Sequence, residues 1–159
     1  MQHRSRIVGA VGMSWSKTLI LTAAASTLGA ATPLNHGEIA VTVTDLRNAK
    51  GVVHACMTTD PKAFPDCDKD PQSFRQTVPA ADQVHLMFRN VAPGHYAISL
   101  LHDENDNGRA DRVMGMMPKE GFGFSRDAKL RMGPPSFQSA AFDFDGSARV
   151  MNIRMRYLF

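Results

Sequence analysis

Apolar and polar residues alternate in short runs through most of the chain after residue 38. Alternation with a period of two is typical of strands that bury one face and expose the other. The runs cover residues 39–43, 53–57, 74–78, 84–89, 96–100, 142–144 and 151–157. Turn residues such as Pro93-Gly94 and Asp145-Gly146 separate them. This pattern predicts an all-β fold, a single antiparallel β-sandwich of about seven strands.

Two connections between the predicted strands are long. One spans residues 58–82 and the other spans residues 103–138. Long loops without secondary structure are uncommon in compact domains and are usually functional or internally braced. We therefore look for the chemistry of the protein in these two segments, and we expect the loop nearer the C-terminus to be braced.

The first 31 residues have the pattern of a secretory signal peptide. Arg4, Arg6 and Lys17 precede an apolar stretch at residues 18–31, and Gly29 and Ala31 are small residues suited to a cleavage site. The stretch is shorter than the roughly 20 residues that a spanning helix needs. The alternative is an uncleaved N-terminal anchor. We predict a signal peptide at 1–31, a β-sandwich domain at 32–159, and a periplasmic or secreted protein.

Signal cleavage would also change the net charge. The chain has 18 lysine and arginine residues and 15 aspartate and glutamate residues. Three of the basic residues lie in the predicted signal peptide, so the mature domain would be close to neutral. No clustered basic face remains for nucleic acid, and no later segment is apolar and long enough to span a bilayer.

Cys56 and Cys67 are the two cysteines of the chain. In an oxidising compartment an even number of cysteines favours a disulfide, and this bond would close the loop that contains Pro61 and Pro65. The alternative is a thiol pair for metal or redox chemistry, although the spacing is not that of a C-x-x-C motif.

The run DENDNGRAD at residues 103–111 is the strongest candidate for chemistry. Oxygen-bearing residues at its positions 1, 3, 5 and 9, with Gly108 at position 6, follow a calcium-loop pattern. The predicted ligands are the side chains of Asp103, Asn105, Asn107 and Asp111 and the backbone carbonyl of Arg109. Position 12 is Met114 instead of the usual bidentate glutamate, which predicts weak binding. The alternative is an Asx-rich turn without metal.

A second candidate site combines His102 with the methionines at 114, 116 and 117. Thioether and imidazole ligands suit Cu(I), so the alternative function is a periplasmic copper-handling protein or a hydrolase with its site near His102 and Met114–Met117. Methionines more often fill gaps in a core. The sequence contains no G-x-S-x-G, H-E-x-x-H or Walker motif.

The segments PGHYAISLLHDENDNG at 93–108, PKEGFGFS at 118–125, GPPSF at 133–137 and AAF at 140–142 resemble the bacterial DUF2141 family. The resemblance extends from about residue 38 to residue 157, and it implies an exported protein with a transthyretin-like or Cna-B-like β-sandwich. This sequence differs from the family pattern at Met116 and Met117, where we would expect an aliphatic residue before Pro118. That difference favours packing for the methionines.

Three aromatic residues of the long loop, Phe122, Phe124 and Phe137, have two interpretations. They fold back over an open end of the sandwich, or they form an exposed patch that binds a partner protein or a glycan. We expect a non-catalytic binding or structural module with an unidentified ligand, and calcium is the candidate ion that braces it. An accessory subunit of a larger envelope complex is a third hypothesis.

Overall fold

The computed structural model describes residues 35–113, 117–130 and 133–158, with the backbone alone described at 112, 113, 117 and 118. The predicted signal peptide at 1–31 lies outside this part of the chain. Ten strands are described: β1 Gly37–Thr44, β2 Val52–Thr58, β3 Phe74–Pro79, β4 Val84–Val91, β5 Gly94–Asp103, β6 Arg112–Val113, β7 Met117–Pro118, β8 Gly121–Phe124, β9 Phe142–Phe144 and β10 Arg149–Arg154. A 3₁₀ turn at Ser125–Asp127 and a single helical turn, α1, at Phe137–Ala140 complete the described elements.

Eight of these strands form two sheets. The first sheet has the order β10-β1-β4, and the second has the order β3-β2-β5-β8, with β9 also paired to β5. The remaining strands, β6 and β7, form a two-residue hairpin. The predicted antiparallel β-sandwich of about seven strands is therefore confirmed, with eight strands in its two sheets. One pair departs from the prediction, because β10 pairs with β1 in parallel.

The main core lies between the two sheets and explains the alternating pattern. Ile39, Val41 and Val43 of β1 are fully buried, while the residues between them are partly exposed. The opposite sheet contributes the buried residues Val53, Ile98 and Leu100 to the same cluster. Burial of such side chains contributes about 1.5–3 kcal/mol each, so this core is the main source of stability.

A second, smaller apolar cluster covers the other face of β5. It contains Ala97, Phe124 and Phe137, with Phe122 partly buried against it. Phe64, from the loop that the disulfide closes, lies 6.0 Å from the ring centroids of both Phe124 and Phe137. The second sheet is therefore covered on both faces, which braces the long C-terminal connection.

The disulfide between Cys56 and Cys67 is confirmed, with a Cα–Cα distance of 5.9 Å. It fastens the 59–73 connection to β2. The buried carboxylate of Asp70 reinforces this connection, because it accepts hydrogen bonds from the Thr58 hydroxyl and the Gln72 backbone N–H.

Within the described residues, no helix has the length and apolar character needed to cross a membrane.

Candidate functional site

The acidic loop begins at the C-terminal end of β5 and curls around the carboxylate of Asp103. Gly108 donates its backbone N–H to Asp103 Oδ2 at 2.7 Å, and Asn107 donates to Oδ1 at 3.2 Å. The loop can turn this sharply because Asp106 and Gly108 have φ angles of 54° and 72°, in the left-handed region that aspartate and glycine tolerate best. The Asp103 side chain is fully buried in the centre of this turn.

The other predicted ligands converge on Asp111. Asn105 and Asn107 each donate a side-chain amide hydrogen to the Asp111 carboxylate, over 2.8 Å and 3.1 Å. Their amide oxygens accept the backbone N–H groups of Asn107 and Arg109, which completes two Asx turns. The four predicted side-chain ligands thus belong to one hydrogen-bonded group. Among the described residues, the Arg109 carbonyl forms no hydrogen bond within this group.

Glu120 is part of the same group, although the sequence analysis did not select it. Its side chain is only 3% exposed, and its Oε2 accepts the backbone N–H of Asp111 at 3.0 Å. Lys119 donates its backbone N–H to the Asp111 carbonyl at 2.9 Å. These two hydrogen bonds extend the β6–β7 hairpin to its base and hold Glu120 beside the loop.

Strand register explains this placement. His102 of β5 is opposite Gly121 of β8, so Asp103 and Glu120 are the next residues on two adjacent antiparallel strands. The segment between them is an excursion that leaves the sheet at Asp103 and returns at Glu120. Two carboxylates separated by sixteen residues in sequence are therefore neighbours at the sheet end.

The site is strongly acidic. Neither Asp103 nor Glu120 forms a salt bridge with a lysine or arginine among the side chains that the structure describes. Burial, together with the charges of Asp103 and Asp111, raises the pKa of Glu120 to about 7. Burial also acts to raise the pKa of Asp103, but the N–H groups of Gly108 and Asn107 outweigh it and hold that pKa below its usual value.

Glu104, between the predicted ligands, belongs to a different group. It forms an ion pair with Arg47. This ion pair lowers the pKa of Glu104 and outweighs burial, which acts to raise it. The Arg47 guanidinium also lies over the Tyr157 ring, 4.6 Å from its centroid. Glu104 is therefore a structural link between the loop and Tyr157.

His102 is completely buried, and both of its ring nitrogens have partners. Nε2 lies 2.8 Å from the Lys50 carbonyl oxygen, so Nε2 carries the proton and donates it there. Nδ1 lies 2.7 Å from the Tyr157 hydroxyl, which donates to it. This arrangement leaves neither nitrogen open to copper. Met114 and Met116, the other ligands of that hypothesis, lie outside the described residues, as does the side chain of Met117.

The three aromatic residues of the predicted partner surface lie in different environments. Phe124 and Phe137 are 4% and 6% exposed, within the second apolar cluster. Phe122 is partly exposed and lines a cavity of about 230 Å³ with Tyr157 and Leu158. Packing against the sheet thus accounts for two of the three rings.

Comparison with known proteins gives one match. A family model described as an uncharacterized protein conserved in bacteria, DUF2141, matches residues 41–152. No curated protein and no solved structure matches the chain.

Proposed function

The chain belongs to the bacterial DUF2141 family, and we propose that it is an exported, non-catalytic β-sandwich module whose acidic loop is braced by calcium. One observation carries this proposal. Asp103, Asn105, Asn107 and Asp111 form one group around which the chain also buries the carboxylate of Glu120.

Export is supported by the features of the chain that need an oxidising compartment. A disulfide such as Cys56–Cys67 persists outside the cytosol and is rare within it. The N-terminal pattern of a signal peptide agrees with this compartment. The protein would then meet calcium at the millimolar concentrations that extracellular calcium modules use.

The chemistry of the donors fits a hard cation. Calcium takes six to eight oxygen ligands from carboxylates, amides, backbone carbonyls and water. Each amide oxygen of Asn105 and Asn107 has two lone pairs, so one can accept the turn N–H while the other binds the cation. The hydrogen bonds from Asn107 and Gly108 to Asp103 keep the Asp103 carboxylate in place before the cation arrives.

Glu120 replaces the missing twelfth ligand of the loop. In the usual calcium loop a glutamate at position 12 closes the site from the following helix. Here position 12 is Met114, and we propose that Glu120, the residue before β8, closes the site instead. Calcium would then join the end of β5 to the β6–β7 hairpin, and its role would be to fix the shape of this end of the sandwich.

A module of this kind would present a fixed surface to a partner. We propose an unidentified protein or glycan as that partner. Phe122 is the aromatic residue suited to the contact, because its ring is partly exposed while Phe124 and Phe137 are buried in the second apolar cluster.

The test is thermal unfolding of the protein in calcium and in EDTA. With a dissociation constant on the order of 0.1–1 mM, 5 mM calcium should stabilise the folded state by about 1–2 kcal/mol. That corresponds to a rise in the midpoint of several degrees. Asp111→Asn and Glu120→Gln should each reduce the rise.

Asp145→Asn is the matched control. Asp145 also caps an exposed turn, where it accepts hydrogen bonds from the backbone and hydroxyl of Ser147, but no other carboxylate closes that turn in the described structure. This variant should keep the full response to calcium. A midpoint that is equal in 5 mM calcium and in EDTA would contradict the proposal and leave the acidic loop as a turn.

A further inference from the structure

A second group of potential ligands also includes Asp103. His54 of β2, Asp103 and Asp106 each offer one atom, and these atoms lie within 4.8 Å of one another. His54 is opposite Leu101 in the β2–β5 ladder, so its ring reaches Asp103 diagonally across the two strands. A nitrogen ligand is foreign to the oxygen set expected for calcium, so this group would suit a different class of ion.

The ring of His54 is oriented as the ring of a metal ligand would be. Its Nδ1 lies 2.9 Å from the Thr77 hydroxyl oxygen, and its Nε2 points to Asp103 Oδ2. In one tautomer the Thr77 hydroxyl donates to Nδ1 and Nε2–H donates to the Asp103 carboxylate. In the other tautomer Nδ1–H donates to Thr77 and the Nε2 lone pair faces Asp103, and this is the tautomer that a metal ion between the two would select. Metal-binding histidines usually donate their other N–H to an oxygen in this way.

The distance between His54 and Asp103 supports the same conclusion. Nε2 and Oδ2 are 3.4 Å apart, which is long for a charge-assisted hydrogen bond of about 2.7–2.9 Å. Two ligands at roughly 2.0–2.2 Å from one tetrahedral ion lie about 3.3–3.6 Å apart. His95 and Asp143 form the contrasting pair, because their nearest atoms are 2.7 Å apart, a normal hydrogen-bond distance.

We propose that His54, Asp103 and Asp106 bind a divalent transition metal of the zinc class. One nitrogen and two carboxylate oxygens suit such a borderline ion better than they suit calcium. His54 is about one-third exposed and Asp106 is exposed on its turn, so the ion enters from solvent. Water would supply the remaining ligand. The three ligand atoms lie within 4.8 Å of one another, and rotation of the exposed Asp106 side chain would bring its oxygen closer to the ion.

This site does not depend on calcium binding, although both sites use Asp103. Oδ2 accepts the Gly108 N–H and still has a lone pair for the ion near His54. The remaining calcium ligands, Asn105, Asn107, Asp111 and Glu120, do not contribute to the zinc site. Substitutions can therefore separate the two proposals.

The experiment is titration of the chelator-treated protein with Zn²⁺, followed by calorimetry and by ¹⁵N NMR of the histidine side chains. One high-affinity equivalent should bind and shift the His54 Nε2 resonance. His54→Gln and Asp106→Asn should each weaken this binding at least tenfold. His95→Gln should leave the affinity unchanged, since His95 is the histidine of the matched surface pair.

Glu120→Gln distinguishes the two sites. It should reduce the calcium response and leave zinc affinity within about twofold, while His54→Gln should do the reverse. Equal zinc affinity in His54→Gln and in the unsubstituted protein would overturn the proposal, as would a His54 resonance that zinc does not shift. Both results would leave the calcium proposal intact, because the calcium response is measured separately.

Discussion

Replacement of Glu120 by glutamine should make the metal-free protein more stable at alkaline pH. The Glu120 carboxyl is 3% exposed and lies near the carboxylates of Asp103 and Asp111. An ionised Glu120 is unfavourable here, because burial removes its hydration and the two neighbours repel it. A glutamine has nearly the same shape as a protonated glutamate, and its amide oxygen can still accept the Asp111 N–H.

The magnitude follows from the pKa of Glu120, which the folded state raises from 4.5 to about 7. Each unit of difference is 1.36 kcal/mol, so the free energy of unfolding should change by about 3 kcal/mol through this group. The folded state binds the proton more tightly than the unfolded state does. The contribution of Glu120 is therefore complete below pH 4.5 and is lost as the pH rises through about 7.

The assay is denaturant unfolding in EDTA at pH 5 and at pH 8. Stability should fall more steeply with pH in the unsubstituted protein than in Glu120→Gln, and the difference between the two proteins should change by about 2.5 kcal/mol between these two pH values. Taking this difference removes the pH dependence that the two proteins share. Glu38→Gln, at an exposed glutamate paired with Arg89, is the control and should follow the unsubstituted curve.

Parallel curves for Glu120→Gln and the unsubstituted protein between pH 5 and pH 8 would refute this reasoning. They would mean that the folded protein does not hold a proton on Glu120. Calcium should make the unsubstituted protein the more stable of the two at pH 8, because calcium binds the Glu120 carboxylate more tightly than it binds the glutamine amide.

Three further substitutions test the packing around the site. Gly121→Ala should cost about 1–3 kcal/mol in chemical unfolding, because its Cβ would lie 2.4 Å from the Tyr157 ring. Phe124→Ala should lower the free energy of unfolding by about 3–5 kcal/mol, and Phe122→Ala should lower it clearly less. Equal losses would contradict the difference in burial between the two rings. Reduction of the disulfide at Cys67 should lower the free energy of unfolding by about 3 kcal/mol, measured with and without reductant.

The strands were predictable where one face is buried and the other is exposed. The prediction missed β8, since its residues Gly-Phe-Gly-Phe are covered on both faces and show no polar alternation. Its glycines have a packing reason: a Cβ at Gly123 would lie 2.9 Å from Ile153. The parallel direction of β10 was also unpredictable, because alternation indicates which face is buried and carries no information about direction.

The candidate site was predictable only in its local part. Asp103 to Asp111 are close in sequence, so their spacing alone indicates a loop that can surround a cation. Glu120 and His54 reach Asp103 through the registers of β5 with β8 and of β2 with β5. No spacing rule contains that information. An acidic residue at the start of a strand that returns to the sheet beside the loop is the signal that would have identified Glu120.

The burial of Glu120 is the strongest argument against a simple turn. A turn needs only local hydrogen bonds, and the exposed turn at Asp145 forms them with Ser147 alone. At the acidic loop, the carboxylate of Glu120 lies in a buried position beside the acidic side chains of Asp103 and Asp111. Such a group destabilises the fold unless a proton or a cation neutralises it. A proton shared with Asp103 meets this need below the pKa of Glu120, which burial and its neighbours raise to about 7, and we expect a bound cation to meet it at higher pH.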